Sequence, residues 1–254
     1  MALYVKLKKN RGLTSFFYEK RRKNIFFRVH IIRRENMILK ISNLNFSYGE
    51  KKILSNVDIY FKENKIYGLI GNNGVGKTTL FNLLKNTYKY KGTIKLDNKN
   101  ITNNDIMMIH SIPNLPEYLT GREYLKYFLK LQRVEIDILE IIKLVNFKES
   151  DLDKLIKEYS HGMKNKIELL TILIVNPKII LLDEPLSNID IITQEEIKVV
   201  LNILKRNHII IISTHIIDLA FDLCDEIILM NNTKLTRITK NKNIILKGLR
   251  NIYD

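Results

Sequence analysis

The chain has 254 residues, 45% of them hydrophobic and 9% aromatic, which excludes wholesale disorder and suffices for one sizeable core. A single cysteine, Cys224, excludes a disulfide framework and a cysteine-based metal site and reads as a packed core thiol. The formal net charge is +15, and residues 1–36, with eleven Lys or Arg against two Glu, hold +9 of it.

Residues 1–36 show no clean period; aromatic and basic residues interleave. So local a basic bias suits an anionic surface, nucleic acid or lipid, or a solvated extension. From Met37 the text changes. "ILKISNLNFSYG" sets Leu44, Phe46 and Tyr48 on one side, and "NVDIYF" does the same with Val57, Ile59 and Phe61, so two antiparallel strands are predicted. "KIYGLIG" reads as a buried parallel strand, and Leu80, Leu83 and Leu84 have helical spacing after it. Gly92 ends that helix and "TIKLD" is another strand.

From about residue 111 to 175 the text is helical. Thr120 and Glu123 form a capping box before "EYLKYFLKL". "IDILEIIKLV" and the more polar "KESDLDKLIKEY" are predicted as two further helices. Ser160 caps a fourth, which Pro177 ends. Strand "KIILL", a helix at about 192–206 and strand "IIIIS" follow. "CDEIILMNNTKLTRI" reads as a strand pair turning at Asn231-Asn232, and a short helix is expected in 241–254. The pattern is α/β with a helical insertion. No run reaches the roughly 18–20 apolar residues of a membrane span, and no secretory signal is expected.

Three motifs carry chemistry. Gly71 to Thr79, "GNNGVGKTT", matches the phosphate-binding loop between a strand and a helix. Gly71, Gly74 and Gly76 allow unusual backbone, and the backbone N–H groups of the loop, which includes Asn72, Asn73, Val75 and Thr79, favour a phosphate. Lys77 reaches the outer phosphates and Thr78 offers a hydroxyl to Mg²⁺. "IILLDEP" ends an apolar strand with Asp183, a second Mg²⁺ contact, and Glu184, a base for an attacking water. "IIIISTH" brings Ser213, Thr214 and His215 to the same edge.

These motifs, with "YSHGMKNK" in this order, resemble the nucleotide-binding subunit of an ABC transporter over residues 37–254. The resemblance implies a RecA-like P-loop core with an N-terminal antiparallel β subdomain and an inserted helical subdomain. It implies that Tyr48 stacks on adenine and that Gly71 to Thr79 bind the phosphates of ATP. Glu184 is then the general base, with Lys77 and His215 at the γ-phosphate. Ser160 and Gly162 would serve the ATP of a second subunit, and Asp190 would lie at the subunit interface. Ser111 falls where the family usually has a Gln or Glu at the Mg²⁺, and its side chain is shorter. His161 replaces the family's commoner first glycine.

The implied partners are a membrane permease and a second ATPase subunit, identical or paralogous, on the inner face of the cell membrane. "PEYLTGREYL" resembles ABC-2-type exporters. A non-transport ATPase acting on ribosomes or nucleic acid is the alternative, and a single ATPase unit argues against it; a catalytically weakened regulator is a third reading, motivated by Ser111. "MILKISNLNFSYG" reads as a complete family start, so residues 1–36 are expected to be an extension, either non-native or lying weakly on anionic lipid.

Overall fold

The computed structural model describes residues 2–8, 13–21, 24–30, 37–187 and 189–238. The helix expected in 241–254 lies outside them. The chain divides into two compact units.

One unit comprises Asn36–Ile112, Pro177–Ser187 and Lys205 onward. Its larger sheet is built on β6 (Lys65–Ile70), β9 (Ile106–Ile109), β10 (Ile179–Asp183), β11 (Ile209–Thr214), β12 (Glu226–Asn231) and β13 (Lys234–Ile238). The order is β13-β12-β6-β11-β10-β9, all parallel except β13. β10 and β11 are buried along their whole length, which is why they read as unbroken Ile/Leu runs rather than alternations. Parallel strands end together, so the residues following β6, β9, β10 and β11 gather at one edge, where such sheets hold ligands.

A second sheet pairs β4 (Ile38–Tyr48) with β5 (Lys51–Lys62) and β7 (Lys91–Leu96), with β8 (Lys99–Asn100) beyond. β4 begins as a half-buried strand should, with Leu39 and Ile41 inside. The register then shifts between Ile41 and Leu44, and Asn43 and Asn56 take left-handed backbone there. The expected Leu44–Phe46–Tyr48 face therefore fades outward: Leu44 is buried, Phe46 partly so, and Tyr48 is 45% exposed. Helix α1 (Lys77–Leu84) seats Leu80, Phe81, Leu83 and Leu84 in the core that both sheets share. Cys224 is buried as expected, close against Gly68, where a β-carbon would stand 2.9 Å from its sulfur. The β12–β13 turn falls one residue later than expected, on Asn232 and Thr233, both with positive φ as a tight hairpin requires.

The other unit comprises Pro113–Asn176 and Asn188–Leu204, with the N-terminal strands β1 (Ala2–Lys8), β2 (Leu13–Arg21) and β3 (Asn24–His30). Those strands, which the text of residues 1–36 did not announce, pair in order and antiparallel. The helices are α2 (Gly121–Gln132), α3 (Ile138–Ile142), α4 (His161–Val175) and α5 (Ile191–Leu204). The Thr120–Glu123 capping box forms with both reciprocal bonds, and Ser160 caps α4 by accepting from the Met163 N–H at 3.2 Å. Asn176 closes α4 in left-handed conformation just before Pro177.

Residues 148–159 do not form the predicted helix; they make two short 3-10 turns, Glu149–Asp151 and Ile156–Glu158. The cause is competition for backbone partners. Ile156 N donates to Leu119 O, Lys157 N to Glu117 O, and Leu152 O accepts from Arg122 N. Bonds to the 117–122 segment take the place of a helical ladder. α3 likewise stops after five residues and passes through a 3-10 turn to left-handed Asn146.

α4 carries one unexpected group. Glu168 is only 8% exposed, and its Oε2 has no hydrogen-bond partner among the described residues. Burial pushes its carboxyl pKa from 4.5 up to about 8, so it folds as a neutral acid. A raised folded-state pKa means that this group's contribution is intact below about pH 4.5 and lost progressively as pH rises towards 8. Glu168→Gln, which cannot ionise, should gain stability relative to the wild type between pH 5 and pH 8, by on the order of 3 kcal/mol. Urea midpoints at the two pH values measure this, and a constant difference would refute it.

Candidate functional site

The phosphate loop leaves β6 and enters α1 as the sequence predicts. Gly74 and Gly76 adopt φ of 77° and 117°. Gly71 differs: its φ is ordinary, and glycine is needed there for space, since a β-carbon would lie 2.7 Å from Met230 O. Val75 N donates to Asn72 O, closing the loop on itself. Gly76 caps α1 without any side-chain bond, so the first helical N–H groups keep their donors for an anion. Lys77 folds back, donating from Nζ to Gly71 O at 2.8 Å and to Asn72 O at 3.3 Å. It is 7% exposed, and burial lowers its pKa, opposed by Glu184 and Asp183. An ammonium has three donors, so one is left for a phosphate oxygen.

Asp183 closes β10 beside this loop. Its Oδ2 accepts from Thr78 Oγ1 at 2.7 Å, and its Oδ1 accepts from the buried Ser213 hydroxyl. A hydroxyl and a carboxylate this close are hard oxygen donors of the kind Mg²⁺ takes. Glu184, the next residue, has φ of +53°, a sparsely allowed conformation for a side chain of its size. Two bonds hold its backbone there: its N–H donates to Ser213 O at 3.2 Å and to Ser213 Oγ at 3.1 Å. The carboxylate is then aimed at His215, just past β11, whose Nδ1 lies 3.0 Å from both oxygens. Lys77 Nζ stands 3.9 Å from Glu184 Oε1.

The sequence marks Ser213 only as part of the strand end. In the fold it is the hinge of the site, bonded to both acidic residues. Its signal is a hydroxyl directly after four isoleucines in a buried strand, where burial demands a partner.

Ser111 lies two residues past β9 and is exposed. The hydrogen bonds of Thr78 and Asp183 run to each other and to Ser213, not to Ser111. Tyr48 ends β4 with its ring exposed. Ser160 and Gly162 open α4 in the helical unit, where a β-carbon on Gly162 would meet Thr193 Cγ2 at 3.1 Å. Asp190 caps α5, accepting from Thr193 N at 2.9 Å, and that bond holds its carboxyl below the usual range.

Comparison with known families matches residues 54–187 to the ABC transporter model, from β5 through both acidic residues. The chain belongs to the ABC transporter family. It is 33% identical over 195 residues to the lantibiotic transport ATP-binding protein SrtF of Streptococcus pyogenes, covering 74% of this chain and 84% of that one. It is 31% identical over 232 residues to the zinc import ATP-binding protein ZnuC of Ehrlichia ruminantium, covering 89% of each. Among solved structures, CbiO1 of Clostridium perfringens, part of the transporter complex CbiONQ, shares the fold. It has a TM-score of 0.70 and 24% identity over 84% of this chain and 93% of that one.

As an ABC transporter ATP-binding protein the chain binds ATP and hydrolyses it to power transport. The expected P-loop α/β fold is thereby borne out. No helix among the described residues is long and apolar enough to cross a membrane.

Proposed function

We propose that residues 37–254 form the ATPase domain that drives a separate membrane permease, in the direction of export, from the inner face of the membrane. Two ATPase subunits, identical or paralogous, sandwich two ATP molecules. The observation that carries the chemistry is Glu184, held at 3.0 Å by His215 beside the phosphate loop. Glu184 takes a proton from water as the water oxygen bonds the γ-phosphorus. The bridging oxygen leaves with ADP.

Lys77 and the bare N-terminus of α1 balance charge on the phosphates. Since both acceptors are carboxylate oxygens, His215 carries its proton on Nδ1. Its Nε2 is then an acceptor in the neutral ring and a donor to phosphate in the imidazolium. Thr78 and Asp183 would hold Mg²⁺, which neutralises phosphate charge when bound. Tyr48 takes the adenine face. Ser160 and Gly162 complete the partner subunit's site; Ser111 adds little reach at the metal.

Export is supported by the relative named for lantibiotic transport. The relative named for zinc import leaves direction to experiment. In inverted vesicles holding the chain and its permease, ATP added outside should drive uptake of a labelled lantibiotic-class peptide. ATP-driven loss from preloaded vesicles would reverse the assignment. Residues 1–36 are proposed to touch anionic lipid weakly through their basic residues.

A further inference from the structure

Three aromatic rings meet at the open end of β4. Phe46 stands edge-on to Tyr48, with centroids 4.9 Å apart and planes at 87°. Tyr88, four residues past the end of α1, stands edge-on to Tyr48 at 5.7 Å and 84°. Phe46 and Tyr88 lie 5.6 Å apart, tilted by 30°. The three centroids form a nearly equilateral triangle, so both neighbours approach Tyr48 from one side. At least one face of Tyr48 is therefore left uncovered by them.

The arrangement solves a problem that Tyr48 poses. It ends a strand whose register has shifted repeatedly, beside left-handed Gly49, and its ring is 45% exposed. A ring so placed would sample several rotamers, and each base bound would have to immobilise it. Perpendicular rings prefer this contact through opposite charge at face and edge. Tyr88 is well sited to supply it, because its segment continues from α1, the helix that the phosphate loop opens. The base platform and the phosphate loop are thus tied by ten residues of one chain segment.

We propose that Tyr88 is a positioning residue for nucleotide binding, fixing the Tyr48 ring so that one face is presented to the base. This rests on Tyr48 being the base platform. Tyr88 does not touch phosphate, so its effect falls on the base end of the ligand alone.

The test compares ATP with inorganic tripolyphosphate, which has the phosphates and no base, by calorimetric titration of the full chain with Mg²⁺. Tyr88→Ala should weaken ATP binding about fivefold and leave tripolyphosphate binding within twofold. Tyr88→Phe keeps the ring and should stay within twofold of wild type for both ligands. Tyr48→Ala is the control and should weaken ATP binding at least as much as Tyr88→Ala. If Tyr48→Ala weakens ATP binding and Tyr88→Ala does not, the inference fails while the platform stands. If Tyr88→Ala weakens both ligands equally, Tyr88 acts on the fold or the phosphate loop and the inference fails. If Tyr48→Ala leaves ATP binding unchanged, the platform falls and the inference with it.

Discussion

Glu184→Gln is expected to cut ATP turnover about 10²- to 10⁴-fold while ATP binding stays within a few-fold. The substitution keeps size and a carbonyl oxygen to accept from His215 Nδ1, which now lies 3.0 Å from both carboxylate oxygens. It removes only the capacity to take a proton at neutral pH. The backbone bonds to Ser213 involve the Glu184 N–H and are untouched. Phosphate release measures turnover, and ATP retained through gel filtration measures binding. Under the proposed dimer, the variant should accumulate as an ATP-bound pair. Turnover within threefold of wild type would exclude Glu184 as the base and leave water activation to phosphate itself.

Ser160→Asp carries the second large effect, and it separates two roles of one residue. Ser160 caps α4, and Asp caps as well as Ser, so melting temperature should hold. Under the proposed dimer, a carboxylate added here would face the partner's γ-phosphate and should suppress hydrolysis about 100-fold or more. Lys77→Ala should fail equally, through the phosphate loop. Mixed one to one under the proposed dimer, the two dead variants should meet in about half of the pairs, each with one site doubly broken and the other intact. Activity should then recover to about a quarter of wild type, as random pairing across a two-fold interface predicts. A mixture no more active than its parts would count against completion of the site by a second copy.

The core of the site was legible because its chemistry is local in sequence. Gly71 to Thr79 run without a break from a loop into the first turn of α1, and Asp183, Glu184 and His215 each follow an apolar run whose length marks a buried parallel strand. Ser213 shows where legibility stops. Its two acidic partners are on another strand, and only the pairing of Asp183 with Ser213 across β10 and β11 brings them together. Residues 148–159 misled for the same reason in reverse. Their periodicity is helical, but the Ile156 and Lys157 donors are taken by acceptors 37 and 40 residues earlier. Glu168 sat in an apolar helix text without announcing that it would be buried, and Tyr88 in a loop whose ring contacts no period encodes.

The left-handed backbone of Glu184 has a consequence for descent. Glycine and asparagine hold such a conformation with less strain than glutamate does. A lineage released from the need to hydrolyse ATP would therefore gain stability by changing this residue to either. With Glu184 as the proposed base, selection for turnover and selection for a comfortable fold pull in opposite directions at position 184.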